Sequence, residues 1–165
     1  MPSLFTYSPK QVIFSVGGYT LTGWQSIGVT RSVQGFTPIR GIRGKNTRVQ
    51  NTDTSATITI SILQTSMSND TLSRIHALDL ERGTGRLDIL LKDKSGTGVY
   101  GSSEAYILGY PEVAYSGGFE YRVWKIFAQS TTTYIVGGNG KVNNIFDSLT
   151  SKVSDVVDTV TDFFN

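Results

Sequence analysis

The clearest pattern in this chain is "TSATITISILQTSMSNDTLSRIHAL", residues 54 to 78. From Thr57 to Ile62, Thr or Ser alternates with Ile. A period of two sends the Ile side chains to one face of a strand and the small hydroxyls to the other. A strand over roughly residues 55 to 64 is therefore predicted. The period then changes: Leu72, Ile75, Leu78 and Leu80 supply the apolar positions of a helix, with Asn69 or Asp70 as N-cap and Gly83 as its stop.

The flanking segments read as further short strands. "QVIFSVGGYTLTGW" predicts two strands across a Gly17-Gly18 turn. "SIGVTRSV" predicts a third, with Ile27, Val29, Arg31 and Val33 on one side. Residues 34–54 hold few apolar side chains and predict a long excursion, a projecting hairpin or loop; segments of this kind are commonly functional. "GRLDILLKDKSGTGVYGSSEAYILGY" predicts a strand, a turn at residues 94–98 and another strand. "PEVAYSGGFEYRVWKIFA" predicts a hairpin across Ser116-Gly117-Gly118, with Phe119, Tyr121 and Val123 alternating against Glu120, Arg122 and Trp124.

After Val136 the period becomes helical. "GGNG" reads as a hinge, and the segment beyond it spaces its apolar residues by three and four. The candidate packing face is Ile145, Phe146, Leu149, Val153, Val156, Val160 and Phe163. Its many Val and Thr residues lower helix propensity, so such a helix needs a surface to lie on. The organisation expected is a mainly β unit over residues 1–136, then a hinge and C-terminal amphipathic helix over residues 137–165.

Composition narrows the chemistry. Charged residues are 17% of the chain, and there is no cysteine, which excludes disulfides and thiolate metal sites. One histidine, His76, makes a His-based metal or triad site improbable; a surface or half-buried packing role fits it better. The start lacks the apolar core of a signal peptide and no apolar run approaches a membrane span, so folding in a cytoplasm, with no membrane partner, is expected. Net charge is +2 but uneven: Arg40, Arg43, Lys45 and Arg48 cluster in the long excursion, whereas four Asp and two Lys follow residue 140.

None of the apparent motifs carries catalysis. Gly96, Gly98 and Gly101 match G-x-G-x-x-G, but the third glycine opens an alternating segment, where dinucleotide binding needs a helix. "GGNGK" lacks the first glycine and the hydroxyl residue of a phosphate loop. Asp88 and Glu104 have no spacing that selects them as acid and base. The basic cluster has only Phe36 as a stacking aromatic, so a base-reading platform is unsupported; an acidic protein surface is an equally good partner for it. From the residues, the chain is a β-rich structural or binding domain, not an enzyme, with no cofactor expected.

"ITISILQTSMSNDTLSRIHAL" resembles the strand-then-helix segment of bacteriophage tail tube proteins, whose most specific piece is the Q-T-S-x-S-N block. "YSPKQVIFSVGGYTLTGW" is similar to that family's opening hairpin, and "YPEVAYSGGFEYRVWKI" to its proline turn and closing R-x-W strand. The resemblance runs over roughly residues 7 to 128. It implies a β-sandwich or partial barrel with one packed α-helix. It implies hexameric rings stacked into a hollow virion tail tube, assembled in the host cytoplasm, through which double-stranded DNA leaves. Tail sheath, tape measure and baseplate or terminator proteins are the implied partners, with a contractile tail the nearer kind. A type VI secretion or other contractile-injection inner tube shares the architecture, and a monomeric binding module is the remaining alternative.

On the tube reading Thr57, Thr59 and Ser61 are candidate lumen residues, because an uncharged hydroxyl wall does not trap phosphates. Arg40, Arg43, Lys45 and Arg48 become a candidate ring-stacking loop. The loop departs from the family, whose tips are less basic and often acidic, and the segment from Val142 lies beyond the resemblance.

Overall fold

The computed structural model describes residues 7–138. After a short 3-10 turn at Pro9–Gln11 come β1 (Val12–Val16), β2 (Tyr19–Thr20), β3 (Trp24–Arg31), β4 (Phe36–Arg40), β5 (Asn46–Gln50) and β6 (Ala56–Leu63). The helix α1 (Ser68–Arg82) follows, then β7 (Leu87–Asp93), β8 (Val99–Ile107), β9 (Tyr121–Ser130) and β10 (Thr133–Ile135). The fold is mainly β with a single helix among the described residues. Eight strands form one antiparallel sheet in the order β2-β1-β7-β8-β9-β6-β3, with β10 alongside β8. β4 and β5 form a separate two-stranded sheet.

The core lies on the concave side of the large sheet. Ala56, Ile58, Ile60 and Ile62 on β6 are all fully buried, as are Phe14, Val16, Leu72, Ile126 and Ala128. Register keeps these faces together: Ile58 pairs with Val29 and Ile126, and Ile60 with Ile27 and Trp124. Although β3 ends one side of the sheet, its Trp24, Ile27 and Val29 line the same groove as Leu91 of β7 and Tyr100 of β8. The sheet is therefore rolled without closing, a partial barrel whose open seam is a groove of about 470 Å³. Register shifts at Trp24/Ser26, Leu87/Ile89 and Glu104/Ala105 supply irregularities of the kind that increase local bend and twist.

Several sequence expectations are corrected in detail. The helix buries Ser68, Leu72 and His76, spaced by four, with Ile75 half-buried against the core. Leu78 and Leu80 are exposed, because at their phase the helix faces away from the sheet. Asn69 and Asp70 lie inside the first turn, and the capping position falls on Met67. Gly83 does stop the helix, at φ 64°, with its N–H donated to Asp79 O. β3 ends at Arg31, short of Val33. The tight hairpin expected across Ser116-Gly117-Gly118 does not form: residues 108–120 are a loop without strand, and β9 pairs antiparallel with β8, at the far side of that loop, and with β6. Pro111 has no N–H for a ladder, and the Arg122 guanidinium pulls the loop inward by donating to Ala114 O at 3.0 Å. The Gly96–Gly101 run is a turn and a strand, with Asp93 Oδ1 accepting from Ser95 N–H and its hydroxyl.

The parity of β6 is directly testable. Ile60→Ala should cost about 2–5 kcal/mol in denaturant unfolding, whereas Thr59→Ala should stay within about 0.5 kcal/mol. Equal effects would mean that the strand is out of register with this description.

Candidate assembly surfaces

Because Ile58, Ile60 and Ile62 point inward, Thr57, Thr59 and Ser61 all lie on the convex face. Across β3 they meet Thr30, Gly28 and Ser26, so two strands together present a band of small uncharged groups. On the other side they meet Phe127, Lys125 and Val123 of β9. The hydroxyl row is thus bordered by one cation, Lys125 directly opposite Thr59, and by apolar side chains. Tyr106 packs on Phe127 at a ring distance of 5.6 Å, and Phe119 on Tyr121 at 5.6 Å. Tyr106, Leu108, Tyr121 and Val123 remain substantially exposed. Sequence reading missed Lys125, whose place opposite Thr59 is set by the pairing of β6 with β9.

The excursion over residues 34–54 is a hairpin, and every residue of β4 and β5 is exposed. Pairing of Phe36 with Gln50, Pro38 with Arg48 and Arg40 with Asn46 puts Arg40 and Arg48 on one face. Arg48 lies over the Phe36 ring at 4.4 Å. Arg43 and Lys45 occupy the tip, where Gly44 adopts φ 82°. The opposite face carries Ile39 and Val49, and Ile42 is fully exposed at the tip. The arm is therefore cationic on one side and apolar on the other, a division that the sparse apolar content had concealed. At its root, Asn51 Nδ2 donates to Gln34 O (2.6 Å) and Thr37 Oγ1 (3.1 Å). Asp53 accepts the Ser55 N–H at 2.9 Å, and this bond, the Ser55 hydroxyl and nearby Arg31 hold its carboxyl below the usual range.

The Q-T-S-x-S-N block has a structural task. Ser66 and Ser68 hydroxyls donate to Thr22 O at 2.6 and 2.9 Å, and Thr22 N–H donates to Ser68 Oγ at 2.9 Å. Gly23, at φ 70°, leaves the room this needs: a Cβ there would stand 2.7 Å from Ser66 Oγ. Asn69 Nδ2 donates to Leu63 O at 2.8 Å, while its Oδ1 accepts the Trp124 indole N–H at 3.0 Å. The block thus ties the end of β6, the start of α1, the β2–β3 turn and β9 to one another. The Ser68 hydroxyl also reaches Tyr19, whose phenol is drawn below its ordinary pKa chiefly by Ser68 and then Thr71. His76 is buried and packs edge-on to Tyr110 at 4.7 Å.

The expected C-terminal packing face (Ile145, Phe146, Leu149, Val153, Val156, Val160 and Phe163) lies outside the described residues. Among the described residues no cluster of three or more His, Asp or Glu side chains has metal-binding geometry.

No protein-family model matches the chain. The chain is 37% identical over 149 residues to structural protein ORF10 of Pseudomonas phage KPP10, covering 84% of this chain and 86% of that protein. Among solved structures, it resembles a chain from the tail of an empty gene transfer agent particle of C6 symmetry. That match has a TM-score of 0.59 at 9% identity and spans 79% of this chain and 99% of the other. It also resembles a chain of the tube-terminating cap of the anti-feeding prophage, with a TM-score of 0.54 at 13% identity over 82% and 95% of the two chains. At such identities the likeness is one of fold.

Two outcomes follow from this geometry. Asn69→Leu strands the buried Trp124 N–H and should destabilise the protein by about 1–3 kcal/mol. In Trp124→Phe the same Asn69 change should cost less, a coupling that a double-mutant cycle reads directly. Ile39→Asp with Val49→Asp should leave the circular dichroism and melting of the subunit unchanged while reducing self-association in sedimentation. A collapse of the subunit fold would show that the arm is part of the core.

Proposed function

We propose that this chain, which belongs to the family of phage structural proteins represented by ORF10 of Pseudomonas phage KPP10, is the subunit of a virion tail tube. Six copies close a ring, rings stack through the hairpin arms, and double-stranded DNA passes through the bore. The observation that carries this reading is the edge of the large sheet. β3 ends the strand order with one side of its backbone without a strand partner among the described residues, and it lies beside the hydroxyl band. An eight-residue open edge invites pairing with another chain, and ring closure is one way to remove it. Once the ring is closed, Ser26, Gly28, Thr30, Thr57, Thr59 and Ser61 face the bore as a smooth uncharged surface. Lys125 adds one cation per subunit at its border.

The hairpin supports stacking. A two-stranded ribbon is marginal by itself, and this one has an apolar face and a cationic face ready for a neighbour. Sheath, tape measure and baseplate or terminator proteins are the partners such a tube would have. A second reading, a cap that ends a tube, is favoured by the fold shared with the anti-feeding prophage cap.

Electron microscopy of the purified protein at high concentration separates these readings. Stacked six-fold rings are expected for a tube subunit, single unstacked rings would favour the cap, and a dispersed monomer would overturn both. The bore assignment has its own test. Particles carrying Thr57→Lys, Thr59→Lys and Ser61→Lys should eject DNA more slowly, with the delay relieved by added salt as phosphate contacts weaken. Ejection at the normal rate would remove these residues from the bore.

A further inference from the structure

The open seam of the barrel is unfinished as a core. Trp24, Ile27, Val29 and Leu91 are packed against the core on one side and face the groove on the other. The groove's volume of about 470 Å³ lies within the range of sites that enclose a sizeable apolar group, roughly 300–1,000 Å³. At its rim stand Ile135 and Val136, the latter 83% exposed.

The chain is held at this rim as it leaves the sheet. Gly137, at φ 72°, crosses the backbone of Gly98 so closely that a Cβ on Gly137 would collide with it. A Cβ on Gly98 would lie 3.2 Å from Val136 O. Thr97 N–H donates to Gly138 O at 3.3 Å. Residues 139–165 therefore start at the mouth of the groove. The first apolar cluster among them is Val142, Ile145, Phe146 and Leu149. Seven residue steps lead from Gly138 to Ile145, a span of about 10 Å if helical and at most about 25 Å if extended.

We propose that Ile145, Phe146 and Leu149 fill the groove of their own chain and close the seam of the barrel. The tether favours this segment over one supplied by another copy. A segment joined to the rim by a short Gly-rich link is present at an effective concentration on the order of millimolar, whereas a segment from another copy must first be brought there. Docking of this kind is independent of the tube reading, since a monomeric subunit would cover its groove in the same way.

The absence of cysteine from the chain makes the test clean. Full-length protein carrying Ile27→Cys with Phe146→Cys is oxidised in dilute solution and digested for mass spectrometry. A full-length control carries Thr20→Cys, on the distant β2 edge, with Phe146→Cys. An intrachain link between residues 27 and 146, formed severalfold more than in the control, is the expected result. A link between two chains would assign the groove to a second copy, and a yield equal to the control would remove the segment from the groove; either overturns the proposal. Should the cysteine pair fail to fold, Phe146→Asp with Leu149→Asp in the full chain supplies a second reading. Trp124 is 1% exposed, so a red shift of tryptophan emission with unchanged circular dichroism reports uncovering of Trp24. An unchanged emission overturns the proposal.

Discussion

The burial of Ile58, Ile60 and Ile62 on one side of β6 is the constraint on which the remainder of the structure rests. The strand lies between β3 and β9 and is bonded to both along its length. A slip of one residue would turn the whole apolar row outward, so its register is strongly specified. Once that register is set, little else on these strands is free. Thr57, Thr59 and Ser61 must stand on the convex face, β3 must contribute Ser26, Gly28 and Thr30 beside them, and Trp124 must lie opposite Ile60. Trp124 is then in place for Asn69, and the polar block that follows β6 can only start the helix where it does.

Around this well-determined centre the subunit leaves several surfaces incomplete. β2, the other end of the sheet, is only two residues long and offers little to pair with. β3, by contrast, is a long edge. The exposed side chains of Tyr106, Leu108, Tyr121 and Val123 make a patch that water covers poorly. The hairpin arm has two faces of opposite character and no core beneath either. A subunit with a rigid middle and unfinished margins is the arrangement expected of a part whose packing is completed by its neighbours.

The sequence made the centre legible and the margins much less so. Alternation in β6 and the double glycine at residues 17–18 carry strong local signals, and the structure places strands and turn where those signals put them. Gly83 ends the helix for the reason given by its left-handed conformation. The errors arise where tertiary contacts overrode local pattern. Leu78 and Leu80 look like core positions on composition, yet the buried ridge runs through Ser68, Leu72 and His76, because small polar and aromatic side chains find hydrogen bonds and ring contacts there. The double glycine at residues 117–118 resembles the one at residues 17–18, but Pro111 and the inward pull of Arg122 on Ala114 O keep the loop from pairing. β10 gave no signal, since three exposed residues joined to β8 cannot be told from a loop. Lys125 was missed as a neighbour of the hydroxyl row because cross-strand register is a property of the sheet, invisible within any one segment.

The hairpin arm also bears on mechanics. A two-stranded ribbon with every side chain exposed deforms far more easily than a sheet whose strands are locked by buried Ile and a hydrogen-bonded Trp. In the stacked tube proposed above, elastic compliance would collect at the joints between layers while each layer kept its bore. The whole could then flex along its length without pinching the passage, as a chain of stiff links does.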